Sequence, residues 1–409
     1  MRTIAVVGKN YGDEGKGLAV DYLTRHADRP LVILHNGGSQ SGHTVERRGT
    51  EEKRFVFHAL SSGSLCGADT LWIDSFHPDL YKLGEELENI QTAFGFLPGI
   101  WAEEGVCCTV VDDVLLNLAL EASRGERRHG SCGMGINECD LRLRAGYGLR
   151  LGDVGRMDAA ALYGALSGLR RSWTARRLRE LDGALNAAAE PYLRLLSDEN
   201  VLRNEADAIL DNLRRVKLLS EPALREKLTG VGTLIFEAGQ GLLLDCGNEA
   251  CAPHVTASCT GLQNPCAFLA RMGLRLDEAV YVSRSYVTRH GAGPLPWECS
   301  REALGRLEPD RTNEPNPWQG SLRYARHGSE ADFVSEVRQD LRRNGAESVA
   351  AKLFLTHLNE TAGCVVLRDR LIPAETFLRH PLLRESFRGA YLSATPYSED
   401  VAVLPLDRN

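Results

Sequence analysis

The sequence contains no apolar stretch near the roughly 20 residues a helix needs to cross a bilayer. Its N-terminus, "MRTIAVVGKN", has a five-residue apolar run too short for a secretory signal. C-x-x-C spacing is also missing: the eleven cysteines are odd in number, and Cys107 and Cys108 are adjacent. They read as reduced thiols in a cytoplasmic protein rather than as a disulfide framework. Excess basic charge is absent. The formal net charge is −7 and the Arg-rich stretches carry as many acids, so small molecules are expected as partners, not a nucleic acid or a membrane surface. No internal repeat or low-complexity segment occurs. A last absence is local. The stretch "VVGKNYGDEGKGLAVD" (7–22) leaves an apolar run through a glycine-rich turn, as a phosphate loop does. Yet Gly8 lies seven residues before Gly15, and Lys16 is followed by Gly17 instead of the Ser or Thr that would hold Mg²⁺ in a P-loop.

What is present fills a chain of 409 residues, 43% hydrophobic, enough for one large domain with elaborations or for two. "TIAVV", "PLVILHN", "RFVFHAL" and "TLWID" in residues 1–75 read as short strands of β/α units. From 155 to 228 apolar residues recur at i, i+3 and i+4 with charges between, which predicts a helical lobe. Strand-like runs return at "GTLIFEAGQGLLLD", "EAVYVSRSYVTR", "AKLFLTHL" and "AGCVVLRD". The expectation is therefore a single α/β domain over 1–409 with a helical insertion at 155–228. The polar segment 307–328, "LEPDRTNEPNPWQGSLRYARHG", reads as a long loop of functional character.

Five glycine-rich stretches carry the chemistry. In "GDEGKG" the bare amides and Lys16 suit phosphate oxygens, and Asp13 can supply a metal ligand or act as a base; a plain glycine turn is the alternative. In "HNGGSQSGHT" (35–44) His43 is placed to act as a general acid, or is structural. "HGSCGMGINECDLR" (129–142) offers Ser131 for phosphate, or is a surface turn. "FEAGQGLLLD" (236–245) exposes Gln240, whose amide suits a purine edge or caps a turn. In "VTRHGAGPLPWE" (287–298) Arg289 suits a phosphate or carboxylate, or an ordinary ion pair.

In this order "GDEGKG", "SGHT", "FEAGQG" and "TRHGAGPLPWE", with "GLRLGDV" at 148–154, the chain resembles adenylosuccinate synthetase, whose motifs read G-D-E-G-K-G, N-A-G-H-T, F-E-G-A-Q-G and T-R-V-G-x-G-P-F-P-T-E. The resemblance implies a mostly parallel central β-sheet flanked by helices, a P-loop-like fold related to the GTPases. It also implies a cytoplasmic ligase in which a nucleoside triphosphate phosphorylates the 6-oxygen of IMP and the amino group of L-aspartate displaces the phosphate. Carried over, Asp13 is the base at N1 and a Mg²⁺ ligand, with the backbone of Gly42 completing the metal shell. His43 is the acid, and Lys16 neutralises the moving phosphoryl group. Gly12, Glu14, Gly15 and Gly17 belong to the phosphate loop. Gln240 meets the purine, Ser131 and Thr256 meet the nucleotide phosphate, and Arg289 is the strand-end arginine. The resemblance further implies a homodimer.

The departures are specific. The aspartate-binding pattern T-T-G-R-x-R-R meets "NPWQGSLRYARHG", leaving Arg323 for the carboxylate. The guanine-reading T-K-L-D meets "LTHLNE", so Asn359 replaces a carboxylate and the donor base is adenine or guanine, ATP or GTP. Thr395 stands where the family has glycine. Gly146 stands where an arginine crosses the dimer interface, leaving the offset Arg142 or Arg144. The alternatives are the same chemistry on dGMP or GMP, as in the phage and bacterial branch making 2-aminoadenine nucleotides, another acceptor or amine, or a nucleotide-binding protein without catalysis. The phage enzymes replace the loop aspartate with serine, so retention of Asp13 favours IMP.

Overall fold

In a computed structural model that describes residues 1–49, 53–128, 130–305, 307 and 320–406, the apolar runs become the middle of a ten-stranded sheet. Its strands in chain order are β1 (Arg2–Gly8), β2 (Pro30–Leu34), β3 (Asp69–Trp72), β4 (Ile100–Glu103), β5 (Val216–Leu219), β6 (Thr233–Gly241), β7 (Glu278–Arg284), β8 (Ala350–Thr356), β9 (Gly389–Leu392) and β10 (Ala402–Pro405). They lie side by side as β10-β9-β8-β7-β1-β6-β2-β3-β4-β5. All pairings are parallel except that of β9 with the edge strand β10. This is the α/β class expected.

Burial on both faces explains why β1 reads as a continuous apolar run. Ala5 and Val7 join one core with Phe236, Tyr281, Phe268 and Phe333. Ile4 and Val6 join the opposite one with Val20, Leu23, Ile235 and Phe354. The helices Gln263–Met272 and Glu330–Arg343 cover the first face, and Lys16–Arg25 covers the second.

The segment 155–228 departs from a purely helical reading. Helices fill most of it, but the residues read as helical in "NLRRVKLL" leave the helix at Leu213, and Val216–Leu219 is β5, an edge strand of the central sheet. A short apolar run carries either period, and pairing with β4 decided it. The helix Glu199–Leu213 packs on the helix Leu80–Phe94 and carries the helix Ala159–Leu169 on itself, in one cluster with Leu83, Leu87 and Ile90. They are tied to the helix Val111–Arg124 by Arg170 on Asp112 and by the Glu205 carboxylate, which accepts from Val111 N at 2.6 Å. Arg142 and Asp113 form a fully buried ion pair at 2.8 Å beside them. No described helix is long and apolar enough to cross a membrane.

Glu205 has one carboxylate oxygen without a partner, and burial pushes its pKa up to about 8. The folded chain therefore holds a proton that the unfolded chain releases at lower pH, so this group's contribution falls as pH rises from the ordinary glutamate range to about 8. Glu205→Gln keeps the acceptor for Val111. It should raise Tm at pH 8 while leaving it unchanged at pH 4, which a pH series of thermal melts checks.

Candidate active site

The loop between β1 and the helix Lys16–Arg25 runs over the C-terminal ends of the central strands, where parallel α/β sheets bind ligands. It is held there by hydrogen bonds from neighbouring strand ends. Arg284, last residue of β7, donates from Nε to the Asp13 carbonyl at 2.5 Å, and Thr356, last of β8, donates to the Glu14 carbonyl at 2.7 Å. Glu14 turns inward, accepting from Asn10 N and Gly12 N at 2.9 Å each and from Lys16 Nζ at 3.0 Å. Gly8 leaves no room for a side chain: a Cβ would meet the Gln240 carbonyl and the Glu14 carboxylate at 2.5 Å.

Under this clasp the backbone adopts left-handed dihedrals at Gly12, Asp13 and Gly15. Asp13 (φ 59°), Gln240 (φ 61°) and His357 (φ 57°) are non-glycine residues in that sparsely populated region, and all three line one large cavity of about 1180 Å³. Such outliers persist where the surroundings over-determine them, as at ligand sites.

The cavity gathers most of the residues singled out from the sequence. Gly12, Asp13, Gly15, Lys16, Gly17, Gly42, His43, Ser131, Gln240, Thr256, Arg289 and Asn359 line it. The Asp13 carboxylate is partly exposed, with His290 Nε2 at 3.6 Å from Oδ2. His43 is held from behind: its Nδ1 lies 2.8 Å from Oε1 of the fully buried Glu237 on β6, which also accepts from Ser62 N and Oγ. The imidazole is thereby oriented with its other nitrogen left for a ligand. Gln240 and Gln40 each turn a buried side-chain carbonyl without a protein partner to this cavity, an unmet acceptor that suits a ligand N–H or O–H.

Two expected contacts are placed elsewhere, and two more are partly occupied. Glu14 lies off the cavity; burial beside three donors makes it the clasp of the loop instead of a phosphate contact. Arg323 also lies off it, because Glu298 takes its Nε and Nη2 at 2.8 and 2.6 Å while the carbonyls of Gly291 and Gly293 take Nη1. Arg289 reaches the cavity wall, but its guanidinium is bonded to the carbonyls of Pro294 and His254 and stacks 4.5 Å over the Tyr11 ring. Burial pushes the Tyr11 phenol up to about 12, so it stays neutral. Ser131 gives its proton to Asn117 at 2.9 Å. Of the 307–328 loop, 308–319 lies outside the described residues. Arg142, a candidate for the interface arginine, is consumed by Asp113; Arg144 is exposed and pairs with Asp140.

Sequence reading missed Glu237, Arg284, Gln40 and His290 as site residues. Glu237, Gln40 and His290 stand inside quoted motifs, so proximity to His43, Gln240 and Arg289 was an available signal. Arg284 carried none: it ends an apolar strand, and its role exists only because β7 lies beside β1.

Mg²⁺ fits this donor set. Among the described residues no three His, Cys, Asp or Glu side chains cluster to cage a metal. Asp13 and the Gly42 backbone line the cavity next to the glycine loop, and so small a set of protein oxygens leaves the other positions to phosphate oxygens and water, as Mg²⁺ prefers.

If Glu14 is a clasp, Glu14→Ala should destabilise the fold by roughly 3–5 kcal/mol, the cost of stranding a buried partner such as Lys16. Urea unfolding without any nucleotide checks this; a change below the error of the extrapolation would return Glu14 to ligand binding.

The adenylosuccinate synthetase profile matches residues 5–350. An adenylosuccinate synthetase from Trichormus variabilis is 30% identical over 376 residues, covering 89% of this chain and 77% of that protein. One from Desulforudis audaxviator is 29% identical over 366 residues, covering 83% and 77%. In fold the chain is similar to the fully ligated adenylosuccinate synthetase of Plasmodium falciparum (TM-score 0.69, 16% identity, 98% of this chain and 99% of that one). It is also similar to a cyanophage S-2L succinoaminodeoxyadenylate synthetase bound to dGMP and to dATP as energy donor (TM-score 0.61, 17% identity, 99% and 95%). With a clasped glycine loop, a braced histidine and the matched profile over most of its length, this chain belongs to the adenylosuccinate synthetase family of ligases that form a C–N bond.

Proposed function

We propose that this ligase activates the 6-oxygen of IMP with the γ-phosphate of a nucleoside triphosphate and joins L-aspartate at C6 to give an N6-succinyl purine nucleotide. The observation that carries this is Asp13, a carboxylate held at a strained backbone position on the cavity wall with His290 Nε2 at 3.6 Å, while the loop's ion pair is formed by Glu14 and Lys16.

In this mechanism the Asp13 carboxylate takes the N1 proton, which pushes electron density onto O6 and makes it the nucleophile. His43, braced by Glu237, gives a hydrogen bond to the oxygen that receives the phosphoryl group. Lys16 keeps donors for a phosphate oxygen while paired to Glu14. Mg²⁺, when bound through Asp13 and Gly42, supplies charge neutralisation along the phosphates. The rest is positioning: phosphoryl transfer is catalysed mainly by fixed charges and donors that need no reorganisation. The unmet carbonyl of Gln240 suits a purine N–H.

Asn359 supports ATP as the donor. Its amide offers one acceptor and one donor, which matches the N1 and N6-H₂ of adenine, whereas guanine presents two donors. It lines the cavity with Thr395 and Tyr397, and Thr395 gives its hydroxyl proton to Asp400. A homodimer fits the family, with Arg144 the remaining basic side chain near the position of the interface arginine.

The first test is product formation by mass, with Mg²⁺ and L-aspartate, crossing ATP or GTP with IMP, GMP and dGMP. N6-succinyl-AMP formed from IMP, and lost in Asp13→Ala, is expected. Product from dGMP or GMP alone would assign the chain to the 2-aminoadenine chemistry, and phosphate release without product would point to another amine donor. Asn359→Asp should move the kcat/KM ratio of GTP to ATP upward by roughly 10-fold to 100-fold, the value of a charge-assisted hydrogen bond. An unchanged ratio would remove Asn359 from the base site.

A further inference from the structure

One wall of the cavity is a loop closed at its base by thiols that the chemistry above does not use. Pro253, His254, Val255, Thr256 and Ala257 line the cavity, and the His254 carbonyl holds Arg289. The limbs of this loop run side by side: Thr256 N donates to the Leu244 carbonyl at 2.8 Å, and Cys246 N to the Ser258 carbonyl at 3.2 Å. At that base Cys246 Sγ and Cys259 Sγ are 3.6 Å apart. Cys246 is exposed, Cys259 is half-buried, and neither lines the cavity. Closing the remaining distance needs side-chain rotation, not strand movement, because the backbones are already paired.

We propose that Cys246 and Cys259 are a reversible redox pair whose disulfide staples the base of the 247–258 loop and so fixes the wall that carries Thr256. The oxidant is a low-molecular-weight disulfide. The exposed Cys246 thiolate attacks one of its sulfurs and expels the other as a thiolate. Cys259, deprotonated, then attacks Cys246 Sγ in the mixed disulfide and expels the second thiol. Two protons and two electrons leave the pair, and the oxidant disulfide becomes two thiols. Burial, the neighbouring Cys246 and the Asp245 carboxylate hold the Cys259 thiol up, which assigns first attack to Cys246. Transient, regulatory disulfides of this kind are the form expected in a reducing compartment.

The link removes opening motions of the loop by shortening its free path, so amide exchange over 247–258 should slow while the rest of the sheet is unaffected. The experiment equilibrates the full chain in glutathione buffers of increasing disulfide fraction, blocks free thiols with an alkylating agent, and maps peptides by mass alongside hydrogen exchange. The expected result is loss of two alkylatable thiols, a Cys246–Cys259 linked peptide two hydrogens lighter than its parts, slowed exchange confined to the loop, and reversal by dithiothreitol. Cys246→Ser and Cys259→Ser should each keep the turnover of the reduced enzyme and lose the oxidised change in exchange. Recovery of both residues alkylated in fully oxidised glutathione, a stable glutathione adduct on Cys246 with Cys259 free, or a link without slower loop exchange would each overturn the proposal.

Discussion

The site depends on one constraint: a glycine-rich loop must lie over the sheet with no serine or threonine hydroxyl to organise it. The carboxylate of Glu14 takes over that task, gathering two backbone amides and the Lys16 ammonium where almost no water reaches. A buried charge of this kind is tolerable only when it is paired and hydrogen-bonded, and here both carboxylate oxygens are bonded. Arg284 and Thr356 then bind the loop's outer carbonyls from the adjoining strands. The loop is therefore over-determined from both sides, which is what allows Asp13 to persist in a left-handed conformation facing the cavity.

The division of labour follows from that clasp. Of two neighbouring acids, Glu14 is spent on structure, its carboxylate bonded to Gly12 N and Lys16, and Asp13 is left on the cavity wall. His43 is treated the same way. Its brace, Glu237, comes from β6, and its own segment from beyond β2, strands that pair side by side. Asp13 and His43 thus arrive on separate elements whose relative position is set by sheet hydrogen bonds, rigid enough to hold their side chains in register. Arg142 and Arg323 are kept off the cavity by a carboxylate or loop carbonyls, and Arg289, on its wall, is bonded to loop carbonyls.

The helical lobe has a comparable double role. Its helices bury Leu178, Leu181 and Leu196 against Leu115, Leu116 and Leu120 of the helix Val111–Arg124, whose other face presents Asn117 and Glu121 to the cavity. Changes in that lobe would therefore be felt at Ser131, which Asn117 holds.

Much of this was legible in the sequence. A strand buried on both faces must be apolar throughout, so the runs at β1, β2, β6 and β7 read as core strands of an α/β domain, while the parallel sheet itself was implied by the family resemblance. Glycine turns after those runs located the site, because close backbone approach and positive φ are local demands on residue type. Motif order named the family, and with it Asp13, Lys16 and His43. What the residues alone left open depended on partners distant in the chain. Whether "VKLL" continued a helix or added β5 rested on β4 being free to pair. Whether Glu14 or Asp13 faced the cavity, whether Arg323 reached it or paired with Glu298, and what held His43 were decided only when separate strands came side by side. Residue type states what a group can bond; tertiary structure alone decides which partner reaches it first.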